Sequence, residues 1–355
     1  MFHIVEYIFD FFKMYQCYLK ARRGKRKKLT TIKFETNALE AVYYLVYVLN
    51  QKTYKMGKYT KFKVFEPKER EIMALPFRDR VVQHYLCDYF LEPLMERHFI
   101  YDTYACRKGK GSHAGLDRLK YFMQRHYRKH GCQGWVLKCD IRKFFYSIDH
   151  DVLKRKLNKL FKGNTDIDWL LEQIIDSTPN PGIPLGNQTS QWFANFYLSG
   201  LGHFIKEKLQ IKHYIRYMDD FVLIHDDKEY LRYCLTEIRK YVEGNLKLQL
   251  NSKTHIFPLR NGVDFLGFHT YLTETGKVIR KLRQKSKNRT RRKIKKFKGL
   301  HDTGKITKEA IDRSFQSWLG HAGHGNCYRL IEKMKEHYQN VFKEDGINGT
   351  INNKS

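Results

Sequence analysis

The sequence predicts a mixed α/β protein. Three observations carry that expectation: apolar residues recur at helical spacing in several stretches, residues 61–65 alternate like one arm of a hairpin, and a short apolar strand pattern runs into Asp140. The 355 residues suffice for two or three domain-sized units with a real core, and a 42% hydrophobic fraction excludes a disordered chain.

Taken in order, Met1 to Leu19 reads as an aromatic amphipathic helix. Glu6, Asp10 and Lys13 interrupt it and no small-residue cleavage site follows, which argues against a signal peptide or a membrane span. Lys20 to Lys28 is a basic cluster. A second helix is expected from about Asn37 to Leu49, with Leu39, Val42, Tyr43 and Val46 as its stripe. Lys61-Phe62-Lys63-Val64-Phe65, a turn at Glu66 to Arg70 and Glu71 to Leu75 read as a β-hairpin. Pro76 and Asp79 mark a helix start.

Trp135-Val136-Leu137 reads as a buried strand, Asp149 as the cap of a helix beginning near Val152, and Asn180-Pro181-Gly182 as a turn. A long helix is expected from about Ser190 to Leu209, its stripe formed by Phe193, Phe196, Tyr197, Leu201 and Phe204. His213 to His225 reads as two short strands around Met218-Asp219-Asp220. From Arg280 to Lys298 twelve of nineteen residues are basic, and helices are expected to continue to about Phe342, ahead of a polar tail.

Charge narrows the partners. Lys and Arg number 67 against 37 Asp and Glu, a net +30, and such an excess repels itself unless it meets a polyanion, usually nucleic acid. The seven cysteines form no Cys-x-x-Cys pair, which argues against a zinc ribbon or a disulfide framework and fits a reducing cytoplasm.

The chemistry concentrates at Tyr217-Met218-Asp219-Asp220. Neighbouring residues on a regular strand point to opposite faces, but at a bend at least one carboxylate can swing toward a shared cation. Crowded carboxylates repel, and a divalent ion relieves the repulsion. Asp140, ending an apolar strand, is a third acid that needs compensation there. Two ions held by three carboxylates would activate a hydroxyl nucleophile and stabilise a leaving pyrophosphate, and Mg²⁺ suits such oxygen ligands. Asp226-Asp227 reads as an ordinary polar turn.

With that box, its upstream aspartate and Gly182-Ile183-Pro184-Leu185-Gly186-Asn187-Gln188-Thr189-Ser190-Gln191, the chain resembles the reverse transcriptases of the prokaryotic, group II intron-like lineage. The likeness runs from Ala21-Arg22-Arg23-Gly24-Lys25 to His321, and Ser190-Gln191, in place of Ser-Pro, is similar to the diversity-generating retroelement group. The resemblance implies a right-hand polymerase with fingers, a ferredoxin-like palm and an α-helical thumb. It divides the chain into an N-terminal basic extension (1–35), fingers with the start of the palm (36–133), a palm with a fingers insertion near 150–185 (134–275), a helical thumb (276–342) and a disordered tail (343–355).

The resemblance also implies roles, position by position. Asp140, Asp219 and Asp220 match the metal ligands, and Ile141 a backbone carbonyl ligand, for two Mg²⁺ ions that Mn²⁺ can replace. Lys68 and Arg70 match finger cations that grip the incoming triphosphate, although a solvated hairpin accounts for them equally. Phe145 matches the ring under the incoming sugar, or is core packing; Lys253 matches a lysine that protonates pyrophosphate, or is a surface lysine. Gln191 falls near the nascent base pair or caps its helix, and Gly186 lets backbone approach the templating base. Arg107, Lys108 and Lys110 match a template-contact loop, and Phe265-Leu266-Gly267 a turn that grips the primer. The basic stretch at 280–298 would track the duplex backbone.

The implied partners are a retroelement template RNA, the primer and cDNA product, dNTPs and a small basic accessory protein, with no membrane, in a prokaryotic or phage-encoded cytoplasmic setting. No ribonuclease H domain or zinc-type endonuclease is expected. Two rival expectations are a defence-associated bacterial reverse transcriptase acting against phage and a non-catalytic RNA-binding scaffold.

Overall fold

The computed structural model describes residues 8–65 and 69–343. The described residues begin with three helices, α1 (Phe11–Ala21), α2 (Leu29–Glu35) and α3 (Ala38–Asn50), then a hairpin of β1 (Thr60–Val64) and β2 (Arg70–Ala74). Next come α4 (Phe77–Leu86), the short α5 (Glu92–Met95) and the long α6 (Ser112–His130). Strand β3 (Trp135–Cys139) is followed by α7 (Phe144–Ser147), α8 (His150–Phe161), α9 (Thr165–Ile175), α10 (Gln188–Tyr197) and α11 (Ser199–His203). Strands β4 (His213–Tyr217) and β5 (Asp220–His225) flank a two-residue turn, and α12 (Lys228–Leu246) leads to β6 (His255–Pro258). The last elements are β7 (Val263–Phe265), β8 (Phe268–Leu272), β9 (Val278–Leu282), α13 (Gln284–Asp302), α14 (Lys308–Gly323) and α15 (Tyr328–Lys343).

The chain folds as two compact units. The first comprises residues up to Gly111 with Lys138–Val222 and Arg232–His255; the second comprises Ser112–Leu137, Leu223–Leu231 and the chain from Ile256 onward. A four-stranded sheet has the order β4-β5-β3-β6, so the strand ending before Asp140 lies beside the one beginning at Asp220.

In the first unit, α1 starts where Asp10 accepts a hydrogen bond from Lys13 N (2.8 Å), and it buries Met14, Cys17, Tyr18 and Ala21, one helical stripe. The expected cap at Asp149 is present: its carboxylate accepts from Val152 N at 2.9 Å. Helix α10 is buried at every position from Trp192 to Tyr197, which makes it the spine of this unit.

Two expected patterns differ. In α3 the buried face is Val42, Leu45, Val48 and Leu49, while Leu39 and Tyr43 are exposed; a helix apolar on all sides offers several equivalent stripes, and packing selects one. The helix expected from Ser190 to Leu209 begins at Gln188 and breaks at Leu198, where ψ reaches 4°, before α11 and a π-helical turn at Phe204–Lys208. The two arms of the hairpin pair in register Thr60↔Ala74 to Val64↔Arg70, with Arg70 in β2 rather than in the turn and residues 66–68 outside the described residues; every β1 residue is exposed, so its alternation marks a two-faced ribbon rather than a buried strand.

In the second unit, β7, β8 and β9 form an antiparallel sheet. Helices α13, α14 and α15 close on Ile294, Ile311, Phe315, Met334 and Tyr338, with the Phe315 and Tyr338 rings stacked 4.2 Å apart. Ile294 is the buried residue of α13, so its basic residues face outward. No helix among the described residues is long and apolar enough to cross a membrane.

Candidate active site

The site is built in the first unit around the turn between β4 and β5. Met218 occupies the left-handed region (φ +56°) although it carries a side chain, a conformation that persists only where surroundings enforce it. The enforcing residue is Arg216, which is fully buried. Its Nη1 donates to Met218 O (3.1 Å) and Asn195 Oδ1 (3.0 Å), and its Nη2 to Asn195 O (3.3 Å) and Thr103 Oγ1 (3.4 Å). Asn195 Nδ2 in turn donates to Ala105 O at 2.9 Å. The turn that carries Asp219 and leads into Asp220 therefore hangs on a polar network joining β4, α10 and the segment 102–105. Burial depresses the Arg216 pKa, and the nearby Asp219 charge opposes that.

The backbone around Asp140 is clamped as firmly. Its carbonyl accepts from Asn251 N (2.7 Å), its N–H points at Thr254 Oγ1 (3.5 Å), and Arg142 N donates to Gln249 O (2.9 Å). Ile141 bridges Leu250 in antiparallel fashion.

The carboxylates are electrostatically joined. Burial, with Asp140 and Asp220 adding like charge, pushes Asp219 up to about 6, while a backbone hydrogen bond and the Arg70 charge oppose the rise. Lys138, two residues before Asp140 on β3, lies 3.3 Å and 3.4 Å from the two Asp220 carboxylate oxygens. Among the described residues no three acid, histidine or cysteine side chains stand close enough to close on one ion. The donor chemistry nevertheless fits a hard divalent cation: hard oxygen ligands are present, and an acid raised by burial and by acidic neighbours is what such a cation would relieve.

Among the other expected residues, Arg70 opens β2 and its charge reaches Asp219. Lys68 lies outside the described residues. Phe145 is partly buried in α7, edge-on to Phe144 at 5.6 Å, and its carbonyl accepts from Ile183 N. Gln191 sits in the first turn of α10, where the Cys106 thiol donates to its Oε1 at 3.0 Å. Lys253 is exposed on the segment that clamps Asp140.

Gly186 has a local reason to be glycine. At φ +115°, an added Cβ would stand 2.9 Å from Ile72 Cγ2 and 3.2 Å from Met73 O, where Met73 N donates to Leu185 O. Its close approach is thus to β2. Arg107 is occupied internally: its guanidinium meets both Glu96 oxygens and donates to Ile100 O and Thr103 O. Lys108 reaches Glu92 (2.6 Å) from an exposed position, and Lys110 donates to Tyr101 O. In the second unit, Leu266 and Gly267 both have positive φ and form a two-residue hairpin turn between the paired Phe265 and Phe268.

Sequence reasoning missed Arg216, Asn195, Lys138 and Cys106. A signal existed for the first, a cation in the otherwise apolar strand Tyr214-Ile215-Arg216-Tyr217 beside the aspartate pair.

The profile of the family described as "Reverse transcriptase (RNA-dependent DNA polymerase)" matches residues 58–270, more than half of the chain and all three aspartates. Among solved structures, telomerase from Candida albicans in complex with a TWJ fragment of telomeric RNA is similar at TM-score 0.52 and 14% identity, over 81% of this chain and 55% of that one. Apo telomerase from Candida tropicalis truncated from its C-terminal domain is similar at TM-score 0.49 and 14% identity, over 62% of this chain and 54% of that one. The chain thus spans little more than half the length of these telomerases, and the first likeness is one of fold, an α/β architecture of the right-hand polymerase kind. No curated protein sequence matches the chain. The profile match over residues 58–270 shows that the chain belongs to the reverse transcriptase family.

Proposed function

We propose that this chain is an RNA-directed DNA polymerase that joins a dNTP to a primer 3′-hydroxyl on an RNA template. The observation that carries the reading is the gathering of three acids at the ends of adjacent strands, Asp140 just after β3 and Asp219-Asp220 where the chain turns from β4 into β5. These acids, with the Ile141 carbonyl, would hold the divalent cations, which when bound lower the cost of negative charge on the reacting phosphates. The chain's own residues do the rest. Lys138, near the end of β3, holds the Asp220 carboxylate in place at the start of β5. Arg70, already within electrostatic reach of Asp219, meets the triphosphate, with Lys68 assisting. Phe145 lies under the sugar and excludes a ribose 2′-hydroxyl, and Lys253 delivers a proton to pyrophosphate. Lys108 and Lys110 meet the template, and Phe265-Leu266-Gly267 the primer.

The finer reading is a retroelement enzyme of the diversity-generating type, supported by Ser190-Gln191, working with a template RNA and a small basic accessory protein and inserting wrongly opposite adenine. The test is dNTP incorporation on primed RNA with Mg²⁺, with and without such an accessory protein. Wild type is expected to extend the primer, and Asp140→Asn, Asp219→Asn and Asp220→Asn each to lose more than about 100-fold in rate while RNA binding persists. Extension unaffected by these changes would overturn the assignment. Error spectra that show no excess at adenines would remove the diversity-generating reading alone.

A further inference from the structure

We propose that Cys106 is a positioning residue: its thiol sets the orientation of the Gln191 carboxamide and thereby tunes base selection at the nascent pair. The inference rests on the reading that Gln191 faces that pair.

The geometry begins with the backbone. Cys106 has φ +54°, a left-handed conformation that a residue with a side chain adopts only where its flanks dictate it. Both flanks are fixed. On one side Tyr104 N donates to Arg216 O and Arg216 N to Asp102 O, both at 2.9 Å, while Asn195 holds Ala105 O. On the other side the Arg107 guanidinium is locked to Glu96 and to two carbonyls. The chain between these anchors turns the Cys106 side chain onto α10, where Sγ stands 3.0 Å from Gln191 Oε1.

The chemistry gives that contact a direction. Packing around the sulfur raises the thiol pKa, so it stays protonated and donates. A carboxamide has an acceptor end and a donor end. Holding Oε1 at the thiol turns the NH2 group away from Cys106, so one of two flip states is selected. The S–H bond is weak, so the selection is a bias and not a lock. The same network then relates Gln191 to the carboxylates: Arg216 and Asn195 carry both the Met218 carbonyl and the Ala105 carbonyl beside Cys106. The side chain that would read the base pair and the turn that bears Asp219 thus share one buried support.

Cys106 is also exposed, whereas Cys17, Cys87, Cys139, Cys234 and Cys327 are buried and Cys132 is intermediate. A small thiol reagent can therefore test the contact in folded protein.

The experiment measures single-nucleotide insertion on primed RNA, giving KM and kcat for the correct and each incorrect dNTP. It compares wild type, Cys106→Ala, Cys106→Ser, Gln191→Ala and the Cys106→Ala/Gln191→Ala double variant. Cys106→Ala is expected to change correct-over-incorrect discrimination about 3- to 10-fold, mainly through KM, in the same direction as Gln191→Ala. Cys106→Ser, whose hydroxyl donates to the same oxygen, is expected to restore most of the discrimination. The double variant is expected to match Gln191→Ala alone, since the thiol acts only through the carboxamide. Capping a Cys132→Ser protein with methyl methanethiosulfonate is expected to reproduce the Cys106→Ala shift and dithiothreitol to reverse it, which keeps the test open if Cys106→Ala folds poorly. Discrimination unchanged in Cys106→Ala and in capped protein, while Gln191→Ala alters it, overturns the role of Cys106. Additive effects in the double variant overturn it as well. Unchanged discrimination in Gln191→Ala removes the underlying reading of Gln191, and the proposal falls with it.

Discussion

Asp219 shows how the burial of one acid links stability to pH. Its carboxyl is raised from 3.8 to about 6, so the native state holds the proton more tightly than the unfolded chain does. The stability tied to that proton is complete below about pH 4 and is lost as pH rises through 6, at a ceiling of about 3 kcal/mol. Asparagine keeps the shape and stays neutral. Without divalent cations, Asp219→Asn is therefore expected to melt above wild type at pH 8 and to converge with it only below about pH 4, as thermal unfolding in chelator would show. Added Mg²⁺ is expected to narrow the gap at pH 8 by stabilising only wild type; a wild type already the more stable in chelator would mean that the acids are not crowded. Arg216 is the converse case, a buried cation whose loss leaves the Met218 carbonyl and Asn195 Oδ1 without their donor. Arg216→Met is expected to cost about 2–4 kcal/mol in urea denaturation. Arg216→Lys is expected to recover little, because an ammonium cannot span groups that a planar fork serves.

Elements were legible in the sequence where the signal was local. The Asp149 cap, the 60–74 hairpin and the strand into Asp140 depend on residues a few positions apart, and each stands where spacing put it. The stripe of α3 and the break at Leu198 were not legible, because each is decided by what packs against the helix. At the site the three aspartates were visible as acids in apolar or strand context, whereas the contacts of Arg216 with Thr103 and of Cys106 with Gln191 join residues 113 and 85 positions apart, with no local pattern to betray them. Gly186 lies between these cases: the glycine was conspicuous, and its partner strand was not. Gly186→Ala would place a Cβ against Ile72 and the Met73 carbonyl at an unfavourable φ, so it is expected to cost about 1–3 kcal/mol. Because the strand it pushes begins at Arg70, the variant is also expected to raise the KM for dNTP more than it lowers kcat. A loss of stability with KM unchanged would separate β2 from nucleotide binding.

For the molecule as a whole, a net charge of +30 needs a polyanion, and α13 concentrates the cations on a helix whose buried contact is Ile294. The α13–α15 cluster fixes that helix by its apolar side, so basic residues on the other side can be removed without opening the core. Arg289, Arg292 and Lys296 are exposed and recur at helical spacing. If they neutralise backbone phosphates, replacing all three with glutamine is expected to reduce the slope of log affinity against log salt by about 2–3, through fewer released counterions. Binding to an RNA–DNA hybrid should weaken by a similar factor for every sequence, since phosphate contacts position a duplex without reading it. Thermal unfolding is expected to stay within about 0.5 kcal/mol of wild type, as for other exposed substitutions. A salt slope unchanged in a stably folded triple variant would move the duplex to another basic surface, such as Lys20 to Lys28, and the same titration on variants of that cluster would then locate it.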